Sequence, residues 1–165
     1  MVLPELAALL RDTATAAQVF VTDATHSLRQ RLSGPKGVDR ARADTEQHVV
    51  HGLGWYAAYA EAMNQVAGWA ERLAAQGQFG EVEALLAQLL FAEWGAQLQG
   101  GIPMSQGEFI RPSDITVDAS ALARLHAPAL LKLARSGAPQ AVKTRIAQHL
   151  MEGRGRPTLE NTGLD

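Results

Sequence analysis

Between Thr45 and Gln76 the chain is apolar at almost every position a helix could turn inward. After His51 the charged residues of that stretch are Glu61, Glu71 and Arg72. At about 100° per residue, Val49, Leu53, Tyr56, Ala60, Met63, Ala67 and Ala74 fall on one stripe. Trp55, Ala62, Val66, Trp69 and Leu73 fall on a second. Gln47, Gly54, Glu61, Gln65 and Arg72 leave only a narrow polar seam. A helix that is apolar over most of its circumference has neighbours on several sides. The stretch is therefore expected to be the central helix of an all-α bundle, starting after Asp39 and ending at Gly77. Its Ala and Gly residues let backbones approach closely, while Trp55, Tyr56, Tyr59 and Trp69 fill the wider gaps.

The rest of the chain follows the same period. Leu3, Leu6, Leu10, Ala14, Ala17, Val21, Ala24, Leu28 and Leu32 predict one long amphipathic helix, with room for a bend near Thr13–Thr15. Ser33-Gly34-Pro35-Lys36-Gly37 stops it. A third helix is predicted from about Gly80 to Gln99, with Glu81 and Glu83 in the first turn, where the helix dipole favours acids. Val82, Leu85, Leu86, Leu89, Leu90 and Ala96 are assigned to its inner face, and Phe91, Trp94 and Leu98 to the opposite one. Gly100-Gly101 ends it. Ile102 to Val117, with Pro103, Gly107 and Pro112, shows no clean period and reads as an ordered loop. Compact domains seldom keep a loop of that length without a purpose.

Helical pattern resumes behind Asp118, a good N-cap residue. Leu122, Leu125, Leu130, Leu131 and Leu133 supply its apolar contacts, and Pro128 is expected to kink or divide it. Ser136-Gly137 closes it. Pro139 opens a short last helix with Val142, Ile146 and Leu150 inward. From Gly153, Arg154, Gly155, Arg156 and Pro157 read as a linker. The pattern thus predicts one helical-bundle domain over 1–152, with a linker or tail over 153–165. The expected fold is all-α, an up-and-down bundle of four main helices plus one or two short ones. A linker in that position is what one domain of a longer protein would carry. No internal repeat is visible.

Composition narrows function more than fold. A chain of 165 residues fits one domain. The absence of cysteine excludes disulfides, zinc–thiolate sites and thiol catalysis. A formal net charge of −2 gives no electrostatic case for nucleic acid. The N-terminus lacks the basic region of a secretory signal, and no run of about 18 uncharged apolar residues could span a membrane. No membrane and a cytoplasmic location are the expectations. Hydrophobic residues make up 47% and aromatics only 5%, so Ala and Leu must carry the core, which suits helices.

Candidate chemistry is sparse. His48 and His51 are three apart on one helix, a spacing that can put two imidazoles on a metal. The chain has neither the Glu-x-x-His of di-iron bundles nor His-Glu-x-x-His, so the two are read as cap or surface histidines and no metal is expected. Glu93 falls within the apolar arc of the third helix, where a buried carboxylate becomes a base with a raised pKa. No second catalytic group accompanies it, and a partner across the bundle is the simpler reading. His26, His126 and His149 stand alone. Nucleophile-elbow and phosphate-cradling signatures are missing, so no catalytic residue is assigned. Trp55, Trp69, Phe91, Trp94 and Leu98 add more apolar surface than one small bundle normally hides, which makes them candidate interface residues.

Ala96-Gln97-Leu98-Gln99-Gly100-Gly101, followed by a long segment with Arg111 and Asp114, resembles the Gln-x-x-Gly-Gly segment in the C-terminal helical bundle of acyl-CoA dehydrogenases. There the segment contacts the pyrophosphate of a flavin. His51-Gly52-Leu53-Gly54-Trp55 with Tyr59, and the string from Gly100 to Glu108, resemble more closely the N-terminal helical extension of acyl-CoA-dehydrogenase-like flavoenzymes of the ethylmalonyl-CoA pathway. The resemblance runs over the whole chain and is strongest from His51 to Asp114. It implies a non-catalytic accessory bundle, with no cofactor of its own, ahead of a catalytic body that holds FAD. Its partner would be that body or a second copy. An alternative implied function is a cofactor-binding module, with Gln97, Gly100, Gly101 and Arg111 holding the adenine and pyrophosphate part of FAD or CoA. A third reading is a free-standing bundle that binds a partner helix beside Trp55 and Trp69.

Overall fold

The computed structural model describes residues 1–35, 37–116 and 118–159. Lys36 of the first stop signal, Val117 at the end of the expected loop, and 160–165 of the expected tail lie outside the described residues. The described residues form eight helices and two small antiparallel ribbons. The helices are α1 (Leu6–Leu32), α2 (Arg40–Thr45), α3 (Gln47–Ala75), α4 (Glu81–Gly100), α5 (Pro112–Ile115), α6 (Ala119–Arg124), α7 (Pro128–Ser136) and α8 (Gln140–Glu152). The all-α bundle expected from the sequence is the fold observed.

α1 runs unbroken through Thr13–Thr15, beginning at Leu6, so Leu3 precedes it. Thr15, Thr22 and Thr25 each donate their hydroxyl to the carbonyl four residues back, the local bond a helical threonine makes. α3 packs antiparallel on α1. Arg11 reaches Glu71 through two bonds of 2.7 Å and Asn64 through a third, Gln18 meets Glu61, and Phe20 lies 5.2 Å from the ring of Tyr56. The seam between them is lined by Leu10, Ala14, Ala17 and Ala24 facing Ala60, Met63, Ala67 and Ala70.

α4 returns antiparallel to α3. Opposite α4 the fourth column is segmented. Gln99 bonds Leu125 O at 2.8 Å, Gly95 faces Leu130, Gln88 bonds Gly137 O at 2.9 Å and Glu81 bonds Arg145. Thus α7 and α8 run in series down one side of α4 while α6 packs on α1, with breaks at Pro128 and at Gly137–Pro139. Asp118 caps α6, accepting from Ser120 N at 2.8 Å, as its position predicts. Gln88 is fully buried, and its amide also accepts from Leu3 N at 2.7 Å, so one side chain ties the N-terminal segment to the α7–α8 joint.

Several expectations need correcting. The helix expected from Asp39 is two helices that part at Glu46, whose carboxylate is held by Arg31. On α3 the buried stripe is Gly52, Tyr56, Ala60, Met63, Ala67, Ala70 and Leu73, so Leu73 joins the first stripe and Ala74 is exposed. The first stop signal is a ribbon of β1 (Ser33–Gly34) and β2 (Gly37–Val38). The expected loop after Gly101 holds a second ribbon, β3 (Ile102–Ser105) paired with β4 (Glu108–Ile110), and then α5. Leu150, expected inward, is exposed. α3 is central as expected, touching α1, α2, α4, α5 and the second ribbon, and α1 shares that role, with α3, α4, α6 and α7 packed on it.

Two predictions follow from this packing. A Cβ at Gly52 would lie 2.3 Å from Ile110 Cγ1, whereas one at Gly54 would meet nothing within 4 Å. Gly52→Ala should therefore cost about 1–3 kcal/mol through overpacking. Gly54→Ala in the same helix should gain about 0.5–1 kcal/mol. Urea unfolding midpoints of the two variants compare them directly. At the α4–α8 contact, bonds from Arg145 and then His149 hold the Glu81 carboxyl down from 4.5 to about 2. A depressed carboxylate stabilises the fold above its ordinary pKa and loses that contribution as pH falls through the folded value. Melting temperature should therefore drop between about pH 5 and pH 2, and Glu81→Gln should flatten the drop in a thermal-denaturation series.

Candidate functional site

α4 buries large and small residues alike, Leu85, Phe91 and Leu98 among the large. Its small residues Ala84, Ala87, Ala92 and Gly95 face the bundle, where α1 and α7 come close. Leu86, Leu90 and Trp94 are left on the outer side, beside the second stripe of α3. Trp55, Tyr59, Ala62, Val66 and Trp69 form that stripe, each half-buried. The two rows make a long apolar groove on one side of the molecule.

The groove has an aromatic end and a cleft end. At the aromatic end the Tyr59 and Trp94 rings lie 5.0 Å apart. Tyr59 donates its hydroxyl to Gln97 Oε1 at 2.6 Å, and partial burial raises its phenol pKa. Trp55 donates Nε1–H to His51 Nε2 at 3.0 Å, which spends that imidazole on the surface of α3. At the other end a cleft of about 450 Å³ opens between Val66 and Trp69 on one side and Leu86, Ala87 and Leu90 on the other. Trp69 is fixed edge-on by Phe79. Leu86 is 46% exposed. Glu83, only 5% exposed, stands at the end of the cleft with its carboxylate accepting from Thr158 Oγ. Pro157, Thr158 and Leu159 lie across the opening, so this part of the expected linker is packed on the domain.

The Gly-Gly turn is built for shape. Gly101 has φ +123° and ψ 140°, a conformation that is essentially glycine-only. Its N–H donates to Gln97 O at 2.8 Å, and a Cβ would touch Arg111 Cγ at 3.3 Å. Gly100 is still inside α4. Tyr56, fully buried, shares its hydroxyl between Leu98 O and Ile110 O at 3.3 Å each, which pins the helix end to β4. Burial first, and then the charge of Asp114, push that phenol's pKa far up. Arg111 N donates to Asp114 Oδ2 at 2.8 Å, and the Arg111 side chain is exposed. Gln97, Gly101 and Arg111 are thus brought together, but the Gly101 amide and the Gln97 side-chain carbonyl are spent on protein partners. A phosphate cradle needs backbone donors that are free to turn to the anion.

Other candidate residues fall elsewhere. Phe91 and Leu98, read as outward interface residues, are 0% and 1% exposed core residues. Glu93 is half-exposed rather than buried, and it has the partner expected across the bundle, Lys143 of α8 at 2.7 Å. The buried carboxylate among the described residues is Glu83, two places after Glu81 in the same first turn, and period alone does not separate the two. His48 is exposed, and no group of three metal-binding side chains is assembled among the described residues. No helix among the described residues is long and apolar enough to cross a membrane.

The whole chain, and not only its Gly-Gly string, has a known counterpart. It is similar to (2S)-methylsuccinyl-CoA dehydrogenase. The chain is 34% identical to the Cereibacter sphaeroides protein over 163 residues, which take in 99% of this chain. It spans only 29% of that relative's length. No family model matches the chain. The resemblance first carried by residues 51–114 therefore extends along nearly the whole chain.

Gly101→Ala should cost about 1–3 kcal/mol from backbone strain alone, while Gly100→Ala, with nothing within 4 Å of its Cβ, should be close to neutral. Chemical denaturation without any nucleotide present measures both. Equal stabilities would mean that the second glycine is not needed for shape.

Proposed function

We infer that this chain is a non-catalytic accessory helical domain of a methylsuccinyl-CoA-dehydrogenase-type flavoenzyme. Its work is to pack against the catalytic body, where FAD would be held. The reading is supported by one observation above others. Nearly the whole chain aligns to less than a third of a dehydrogenase. The outer groove of α3 and α4 agrees with it: Trp55, Trp94 and Trp69 keep part of their rings accessible, and Leu86 is exposed. Half-buried aromatics beside aliphatic side chains are the composition of interface cores. No step of acyl-CoA oxidation is assigned to residues of this bundle. The domain would contribute contact area and orientation to an enzyme whose cytoplasmic chemistry happens elsewhere.

The test is reconstitution. The Cereibacter sphaeroides dehydrogenase is purified without the stretch that matches this chain, and this chain is added in trans. Co-elution on size exclusion is expected, with Leu86→Asp and Trp94→Asp each weakening the complex at least tenfold. Oxidation of methylsuccinyl-CoA by this chain alone, or separate elution at all concentrations, would overturn the assignment.

A further inference from the structure

The α8 C-terminus is followed by a turn that sends the chain back over the bundle. Gly153 N, Arg154 N, Gly155 N and Arg156 N each donate to a carbonyl of residues 149–153, and Arg154 and Gly155 both adopt positive φ. The turn delivers Pro157, Thr158 and Leu159 to the mouth of the α3–α4 cleft. There Pro157 and Leu159 line the cleft together with Trp69, Leu86 and Leu90, and the Thr158 hydroxyl donates to Glu83. Glu83 is a carboxylate buried beside apolar groups, a position that is costly without a donor. Pro157 and Thr158 themselves remain exposed, so the segment rests on the surface of the cleft rather than inside the core. About 450 Å³ of space stays open beneath and beside it.

We propose that this cleft is a receptor for an extended peptide and that its resident ligand is the chain's own 157–159 segment. Recognition needs a hydroxyl donor for Glu83 with apolar residues on either side of it. The segment is held in cis by the 153–156 turn, which supplies a high effective concentration. Its release uncovers Trp69 and leaves the Glu83 carboxylate ready for a donor from a competing segment of the same chemistry. This inference rests on the cleft alone, so failure of the chain to dock on a catalytic body leaves it standing.

The test uses the full chain. A Thr158→Val, Leu159→Ser double variant is compared with the parent and with Thr158→Ser. Trypsin cleavage after Arg154 reports how often the segment leaves the cleft. Loss of a bond to a charged acceptor should speed cleavage about tenfold in the double variant, and Thr158→Ser should match the parent. A synthetic peptide of residues 153–165, added at millimolar concentration, should shift the amide resonances of Leu86 and Leu90 in the double variant but not in the parent. Cleavage of the parent as fast as the double variant would overturn the proposal. So would resonances of the double variant that the peptide leaves unmoved.

Discussion

The α1–α3 seam sets the spacing of the whole bundle. Ala14, Ala17 and Ala24 meet Ala60, Ala67 and Ala70, all but inaccessible to solvent. Helices that touch through alanine come to the short end of the usual interaxial range. The single large pair, Phe20 on Tyr56, then fills the widening toward the ribbon end. At the opposite end the Arg11 fork on Glu71 and Asn64 closes the seam at the surface. A seam this close leaves no slack for sliding. α4 and the segmented fourth column must take up positions on a fixed pair of rods.

A frame of alanine and leucine is non-directional, and a few polar pins give it a register. Tyr56 reaches two carbonyls, one on α4 and one on β4. Gln88 satisfies Leu3 N and Gly137 O from the middle of the core. Arg31 joins Glu46 at the α2–α3 break and donates to Ile115 O at 3.1 Å. Each pin fixes a chain segment that has no long apolar face of its own. Removing one end of such a buried bond leaves the other unsatisfied, which costs more than the bond contributes. These three residues therefore define where the irregular parts lie, while hydrophobic burial supplies most of the driving force.

How much of this was written in the sequence depended on contrast between faces. α1 has polar residues at regular intervals, and most of its buried stripe is legible, although the core takes Phe20 where period alone selects Val21 and also buries Thr13. Pro128 and Asp118 marked their breaks because proline and a capping carboxylate act locally. α4 gave no such contrast. With apolar residues on all sides, period alone cannot say which side is inward, and Phe91 and Leu98 were put on the wrong one. Ala84, Ala87, Ala92 and Gly95 mark where other helices come near, but Leu85, Phe91 and Leu98 share their side, so neither period nor size separates the faces. The ribbons were invisible for a different reason. Strands of two to four residues, one of them holding Pro103, are too short for a period to establish itself. Of the candidate site, Trp55, Trp69 and Trp94 were found on the groove, while Glu83 and the returning segment depend on contacts between residues 75 apart.

Core and surface meet along two rows. Leu86, Leu90 and Trp94 lie on the less buried side of α4, while Leu85, Phe91 and Leu98 join its alanines in the core. On α3, Ala60, Ala67 and Ala70 are buried with Tyr56, Met63 and Leu73, and Trp55, Val66 and Trp69 are half-buried. The groove lies between these two rows. Polar substitution along the rows would have left the seam intact, since none of these side chains lies in it. Their apolar character serves the contact of α3 with α4, as the Tyr59–Trp94 ring pair shows, and what remains accessible is open to a further contact. Thr158, bound to Glu83 between Pro157 and Leu159, stands at one end of that groove.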